Sequence, residues 1–183
     1  MPTRPALAAG REVVPHRTTE EAMTPETNSR TIVVGYDGSP AALAAVDHAI
    51  DRAGPDGRLV VVHAHLTPTD HVGAPYYNAM VEDATYRATN LVDGLERDCE
   101  RLATIKYERD LAVGSAATAI VRAAETREAD EIVIGSREVG RMRALLGSVA
   151  HDVIHLAHCP VTVIPERMAD RHAARPATAA SAV

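Results

Sequence analysis

Five short aliphatic runs, each divided from the next by a stretch of helical period, constrain this chain more than any other feature. The runs are TIVVGY (31–36), RLVVVHAHL (58–66), IKYERDLAV (105–113), EIVIGS (131–136) and PVTVIP (160–165). Apart from the third, they lack the strict apolar–polar alternation of a strand with one wet face, so they predict strands covered on both sides. IKYERDLAV alternates imperfectly through Ile105, Tyr107 and Leu111, which predicts a half-buried edge strand. Between the first two runs, AALAAVDHAIDRA (41–53) spaces Leu43, Val46 and Ile50 for a helix that stops at Gly54-Pro55-Asp56-Gly57. A loop is expected from Thr67 to about Tyr77. One long helix is expected over 78–103, with Met80, Ala84, Leu91, Leu95 and Leu102 on one face. Gly114-Ser115 opens a helix over 116–129. A loop then runs to Leu146, and GSVAHDVIHLAH (147–158) forms the last helix.

Strands that alternate with helices in this way predict an α/β fold, a doubly wound five-stranded parallel sheet with helices on both faces. In such a sheet the ligand crevice lies beyond the carboxyl ends of the strands, where the strand order reverses. With the order 3-2-1-4-5, that point falls between strands one and four. Their carboxyl ends carry GYDGS (35–39) and GSREVG (135–140), two glycine-rich junctions a hundred residues apart. The domain is expected over residues 30–165. The polar, proline-bearing residues 1–29 and the Ala-rich residues 166–183 read as flexible tails. Met23 is an alternative start.

Composition removes several function classes. The chain has no Trp and no Phe, which argues against stacking platforms for single-stranded nucleic acid. A net charge of −6 gives no basic footprint for a phosphate backbone, so no nucleic-acid partner is expected. Two cysteines, Cys99 and Cys159, form no disulfide framework and point to a reducing compartment. The first residues lack the apolar core of a signal peptide, and no run approaches the roughly 20 residues that span a bilayer. A cytoplasmic protein with no membrane partner is the expectation.

Two readings stand for Asp37, which follows a buried strand and precedes a helix. It binds a ribose hydroxyl or a phosphate-borne metal, or it is a turn residue that caps the next helix with Ser39. At the second junction, Gly147 permits close backbone approach and Ser148 offers a hydroxyl beside the free amides of the following helix. Arg137, Arg141 and Arg143 add charge for phosphates. Neither the P-loop nor the dinucleotide fingerprint is present. His151, His155 and His158 share one helix face at i, i+4 and i+7, which makes a metal site conceivable, although a polar face near a helix C-terminus explains them too. His63 reads as a satisfied interior or pocket-rim histidine rather than a catalytic base, and Cys159 as a small buried hydrophobe. No nucleophile–base–orienter set of a hydrolase is evident.

Taken in order, TIVVGYDGSPAA, VVHAH, IGS, LLGSVA and CPVTVIP resemble the universal stress protein family over about residues 30–165. The resemblance implies the strand order 3-2-1-4-5, a homodimer through the last strand (160–164), a role in stress response and, in one branch, ATP binding. That branch carries Gly-x-x-Gly-x9-Gly-Ser/Thr after strand four. Gly135 takes the first glycine, and Gly147 with Ser148 the terminal pair. The second glycine falls on Glu138, and eleven residues separate Gly135 from Gly147 where the branch has twelve. By the same resemblance Gly35, Tyr36, Asp37, Ala64, Ile134, Arg137, Gly140 and Val149 complete an adenine-nucleotide site, with Tyr36 either stacking on the base or crowding it, and Mg²⁺ enters with ATP through Asp37. The implied function is a regulatory protein for which ATP is a conformational ligand with little or no turnover. A dimeric scaffold that has lost ATP is the alternative. An adenine-nucleotide hydrolase of related fold would need an SGGxDS-like loop after strand one, which GYDGSP does not supply.

Overall fold

The computed structural model describes residues 29–66, 73, 76–136, 146–165 and 168 of the chain. The expected tails fall almost wholly outside these residues, as do Arg137, Glu138, Gly140, Arg141 and Arg143. Five strands are present: β1 (Thr31–Gly35), β2 (Arg58–His65), β3 (Lys106–Val113), β4 (Glu131–Ser136) and β5 (Val161–Pro165). The helices are α1 (Pro40–Ala53), α2 (Tyr76–Asp93), α3 (Leu95–Asp98), α4 (Ala116–Thr126) and α5 (Ser148–Leu156), with a 3₁₀ turn at Glu100–Thr104. The strands form one sheet in the order β3-β2-β1-β4-β5, every pairing parallel. The expected doubly wound α/β sheet is therefore the observed fold.

Alternation along each strand divides the core into two layers. Ile32, Val34, Leu59, Val61, Val133 and Ile164 face α1, α3 and the 3₁₀ turn. Val33, Val60, Val62, Ile132 and Ile134 face α4 and α5. Helix α1 meets the sheet through alanines (Ala41, Ala42, Ala45, Ala49), whose small side chains let its backbone come close. That closeness explains Gly135. A Cβ on this residue would stand 2.6 Å from the Ala41 carbonyl carbon and 2.7 Å from the Ala42 nitrogen, and backbone cannot move aside cheaply.

The long helix expected over 78–103 is three pieces. It breaks at Gly94, where helix propensity is low and a Cβ would crowd the Asn90 carbonyl at 3.3 Å. Cys99 then leaves helical geometry altogether, with φ −136° and ψ 84°. The break lets Leu95, Cys99 and Leu102 descend onto the sheet. Helix α2 instead buries only Ala88 and Val92, and Met80 stays largely exposed, so the expected single apolar face from Met80 to Leu102 does not exist. Other boundaries move by a few residues. Helix α4 ends at Thr126, and Glu128 follows at φ 48° in a left-handed turn. Strand β3 is an edge strand, as its alternation predicts.

Glu131 opens β4 and is almost wholly buried. Burial alone would push its carboxyl up, but the Thr162 hydroxyl at 2.6 Å and the Arg52 guanidinium at 2.8 Å outweigh burial and hold it below the ordinary value. The carboxylate thereby ties the end of α1 to β5.

Two outcomes follow from these contacts. Gly135→Ala should lower stability in urea by about 1–3 kcal/mol, the usual cost of overpacking a tight contact. A carboxyl with a depressed folded pKa stabilises the fold above its unfolded value, and that contribution disappears as pH falls through the folded one. Wild type should therefore exceed Arg52→Ala by about 1 kcal/mol near neutrality, kept small because Arg52 is half exposed. The margin should shrink toward zero in acid. A margin independent of pH would show that the ion pair is not its source.

Candidate functional site

A crevice of about 220 Å³ opens at the carboxyl ends of β1 and β4, where the strand order reverses. Most of its wall comes from the ends of three strands and the start of one helix. Gly35, Tyr36 and Asp37 leave β1, and Val62, His63 and Ala64 end β2. Ile134 and Gly135 end β4, and Gly147, Ser148 and Val149 begin α5. The two glycine-rich junctions thus meet as the topology requires. Of the expected site residues, Arg137 and Gly140 lie outside the described residues; the rest line this one crevice.

The β1 junction is held by local hydrogen bonds. The Asp37 carboxylate accepts from the Ser39 amide at 3.0 Å, and Ser39 caps α1 by accepting from the Ala42 amide at 3.2 Å. Pro40 follows as the first helical residue, where its missing N–H costs nothing. The turn needs Gly38 at φ 78°. Asp37 therefore performs the turn role as well as lining the crevice, and the two readings of it are compatible.

Tyr36 is placed differently from the expectation that its ring meets a base. The ring is buried in the first core layer, away from α4 and α5. Burial, then Asp98, Asp37 and Cys99, push its hydroxyl pKa up. What Tyr36 brings to the crevice is main chain: its N–H donates to the Val62 carbonyl and its carbonyl accepts from His63 Nδ1, both at 2.9 Å. His63 is thus a satisfied rim histidine whose ring is fixed in orientation.

Gly35 faces the α4 side, where a Cβ would reach Ile120 Cδ1 at 2.7 Å. On the far wall, Gly147 is the N-cap of α5 and supplies no side chain to its first amides. Uncapped amides at a helix start attract negative charge. A group with an apolar, flat portion and an anionic end matches a crevice lined by Ala64, Ile120 and Val149 together with these amides. Ala42, Ala116, Ile120 and Ala150 also line it and were not singled out from sequence. Ala116 had a readable signal, because Gly114-Ser115 puts the start of α4 at the same end of the sheet.

The three histidines expected on one face of the last helix do not converge, because α5 ends at Leu156 and His158 lies beyond it. The His151 and His155 rings meet edge to face with centroids 4.5 Å apart, whereas His158 Nδ1 turns to the Glu125 carboxylate at 2.8 Å. Among the described residues no three His, Cys, Asp or Glu side chains are placed to share an ion. Burial pushes both thiols up, at Cys99 and Cys159, so neither is activated. No helix among the described residues is long and apolar enough to cross a membrane.

The model of the universal stress protein family matches residues 28–165. A universal stress protein of Thermus aquaticus is 35% identical over 138 residues, covering 74% of this chain and 98% of the relative. One from Mycobacterium tuberculosis is 34% identical over 149 residues, and there the chain spans about half (51%) of the relative's length. A solved universal stress protein in complex with cAMP superposes with a TM-score of 0.57 at 24% identity, over 74% of this chain and 96% of that one. An Arabidopsis thaliana family protein with AMP bound gives 0.55 at 16% identity, over 74% and 91%.

Proposed function

The chain belongs to the universal stress protein family, and on that premise we propose that it is a cytoplasmic stress-response regulator that binds an adenine nucleotide as a conformational ligand, with little or no turnover. The observation that carries this reading is the convergence of Gly35–Asp37, Ala64, Ile134–Gly135 and Gly147–Val149 on one crevice at the reversal point of the sheet. Its volume lies below the range of about 300–1,000 Å³ typical of sites for drug-sized ligands. Base and ribose fill it, with Asp37 toward the ribose. The phosphates extend past the Gly147–Ser148 amides, and Arg137 and Gly140 are proposed as phosphate-binding residues on the resemblance alone. With ATP, Mg²⁺ enters beside Asp37 and neutralises phosphate charge.

Isothermal titration with ATP and Mg²⁺, with AMP and with cAMP tests the reading. The last two are included because proteins of this fold carry them. One nucleotide per chain should bind, with no phosphate released on standing with ATP. Asp37→Asn keeps an acceptor for the Ser39 amide but loses the charge, and it should weaken binding by about 1–3 kcal/mol. Unchanged affinity rejects the ribose role. Absence of binding by all three nucleotides would favour the second reading, a dimeric scaffold without nucleotide, which Glu138 at the glycine position of the loop supports.

Homodimerisation through β5 belongs to the same proposal. The two edges of the sheet differ in kind. β3 carries Lys106, Glu108, Arg109 and Asp110, charges that discourage pairing with another chain. β5 carries Val161, Thr162 and Val163. Ile132 N–H donates to the Pro160 carbonyl, so alternation sends the ladder groups of Val161 and Val163 to the open edge. Exposed Ile154 and Leu156 of α5 adjoin it in sequence and add apolar area. Light scattering after size exclusion should give twice the 19.5 kDa chain mass. Val163→Pro, which removes an outward donor, should give the monomer. A monomeric wild type at tens of micromolar would remove the interface.

A further inference from the structure

The carboxyl end of β2 serves two clefts. On the α4 side is the crevice just described. On the opposite face, a cleft of about 520 Å³ lies between β2 and the poorly buried helix α2. His63 and His65 form its floor, two residues apart on one strand and therefore on one face. Met80, Ala84, Ala88 and Leu91 of α2 form the opposite wall, with Asp83 and Arg87 paired to each other.

The histidines are unequal in a telling way. His63 has Nδ1 committed to the Tyr36 carbonyl, which leaves Nε2 as its lone-pair nitrogen. A ring whose second nitrogen is fixed by a carbonyl is how metal-ligating histidines are commonly oriented. Both ring nitrogens of His65 are shielded from solvent and find no hydrogen-bond partner. A buried polar nitrogen without a partner is costly, so a histidine kept in this state calls for a ligand. The ring centroids are 6.5 Å apart with planes within 14°. That spacing is the repeat of two side chains two residues apart on one strand, about 6.6 Å, so the two rings stand side by side along the cleft.

We infer that this cleft is a monovalent copper site, with His63 Nε2, a ring nitrogen of His65 and the Met80 thioether as its donors. The choice of ion follows from charge and softness. The donor set is neutral. The carboxylate on the wall, Asp83, is already paired with Arg87, and no three His, Cys, Asp or Glu among the described residues can share an ion. A divalent ion would leave two uncompensated charges in a half-enclosed apolar cleft, whereas Cu⁺ leaves one. Thioether with imidazole is a soft set that selects Cu⁺, and Zn²⁺ sites take thiolate, imidazole or carboxylate instead.

The full chain is titrated with Cu⁺ under anaerobic, reducing conditions against a chromogenic Cu⁺ chelator, with Zn²⁺ run in parallel. Wild type should withhold one equivalent of Cu⁺ from the chelator. His65→Ala should lose it. Met80→Leu should weaken it by at least about tenfold, the lower bound for losing even an outer-shell partner. A Cys99→Ser/Cys159→Ser variant should keep the equivalent, because the thiols are not donors. Thermal melts of each variant show that it is folded, and X-ray absorption of the loaded wild type should show two nitrogen neighbours and one sulfur. Failure to compete with the chelator, loss of copper in the double-serine variant, or an unchanged Cu⁺ affinity in Met80→Leu would each overturn the assignment. So would Zn²⁺ held as tightly as Cu⁺ through His65. Nucleotide binding by Met80→Leu is measured alongside and should match wild type, since Met80 lies outside the nucleotide crevice.

Discussion

Everything in this molecule hangs on the double burial of β1. Ile32, Val33 and Val34 are fully buried, alternating between the two core layers, while β2 and β4 satisfy the backbone on either side. A strand in that position cannot end in another buried element without leaving polar groups unpaired. It must empty into a turn at the carboxyl end of the sheet. β4 runs parallel beside it and empties at the same end. Because the chain winds one way from β1 to β3 and the other way from β4 to β5, the connections diverge there and leave a gap between them. The crevice is thus a consequence of topology before any residue in it is chosen for a ligand.

Much of this was legible in sequence for that reason. The Val- and Ile-rich runs report double burial directly, and the alternation in Lys106–Val113 reports an edge. The helix over 78–103 was misread because leucines at 91, 95 and 102 continue a helical period across Gly94 and Cys99. Period alone cannot tell one helix from two pieces bent onto the same surface. The ring of Tyr36, though not its place beside the crevice, was misplaced for a related reason. A residue next to that turn lines the crevice with its main chain, yet strand alternation carries on one step past β1 and sends its ring to the opposite layer with Ile32 and Val34. Counting parity from Val33 and Gly35 would have found it.

The cleft beneath α2 was not legible at all. Alternation with Leu59 and Val61 gives the face that His63 and His65 share, but it does not report how far α2 stands from them. Had the helix run straight with Met80 packed like Leu95, the histidines would lie under apolar side chains. The pieces after the break seat Leu95, Cys99 and Leu102 against the sheet, whereas Met80, on the piece before it, stays exposed and lines the cleft.

Gly135 shows how one residue can satisfy two arguments, of which only one is physical here. By resemblance it begins a phosphate loop. By geometry its missing side chain is the space taken by the backbone of Ala41 and Ala42, the first turn of an alanine-rich helix that lies against the sheet. Any residue larger than glycine would push α1 outward and carry with it the Ser39 cap and the turn that holds Asp37. A chain of this fold with α1 so close would need glycine at 135 whether or not it bound phosphate. The glycine therefore says nothing about the ligand. The ligand argument rests on the far wall, where Gly147 leaves the first amides of α5 without a side-chain cap. An anion bound at that helix start would give those amides the partner that Gly147 does not.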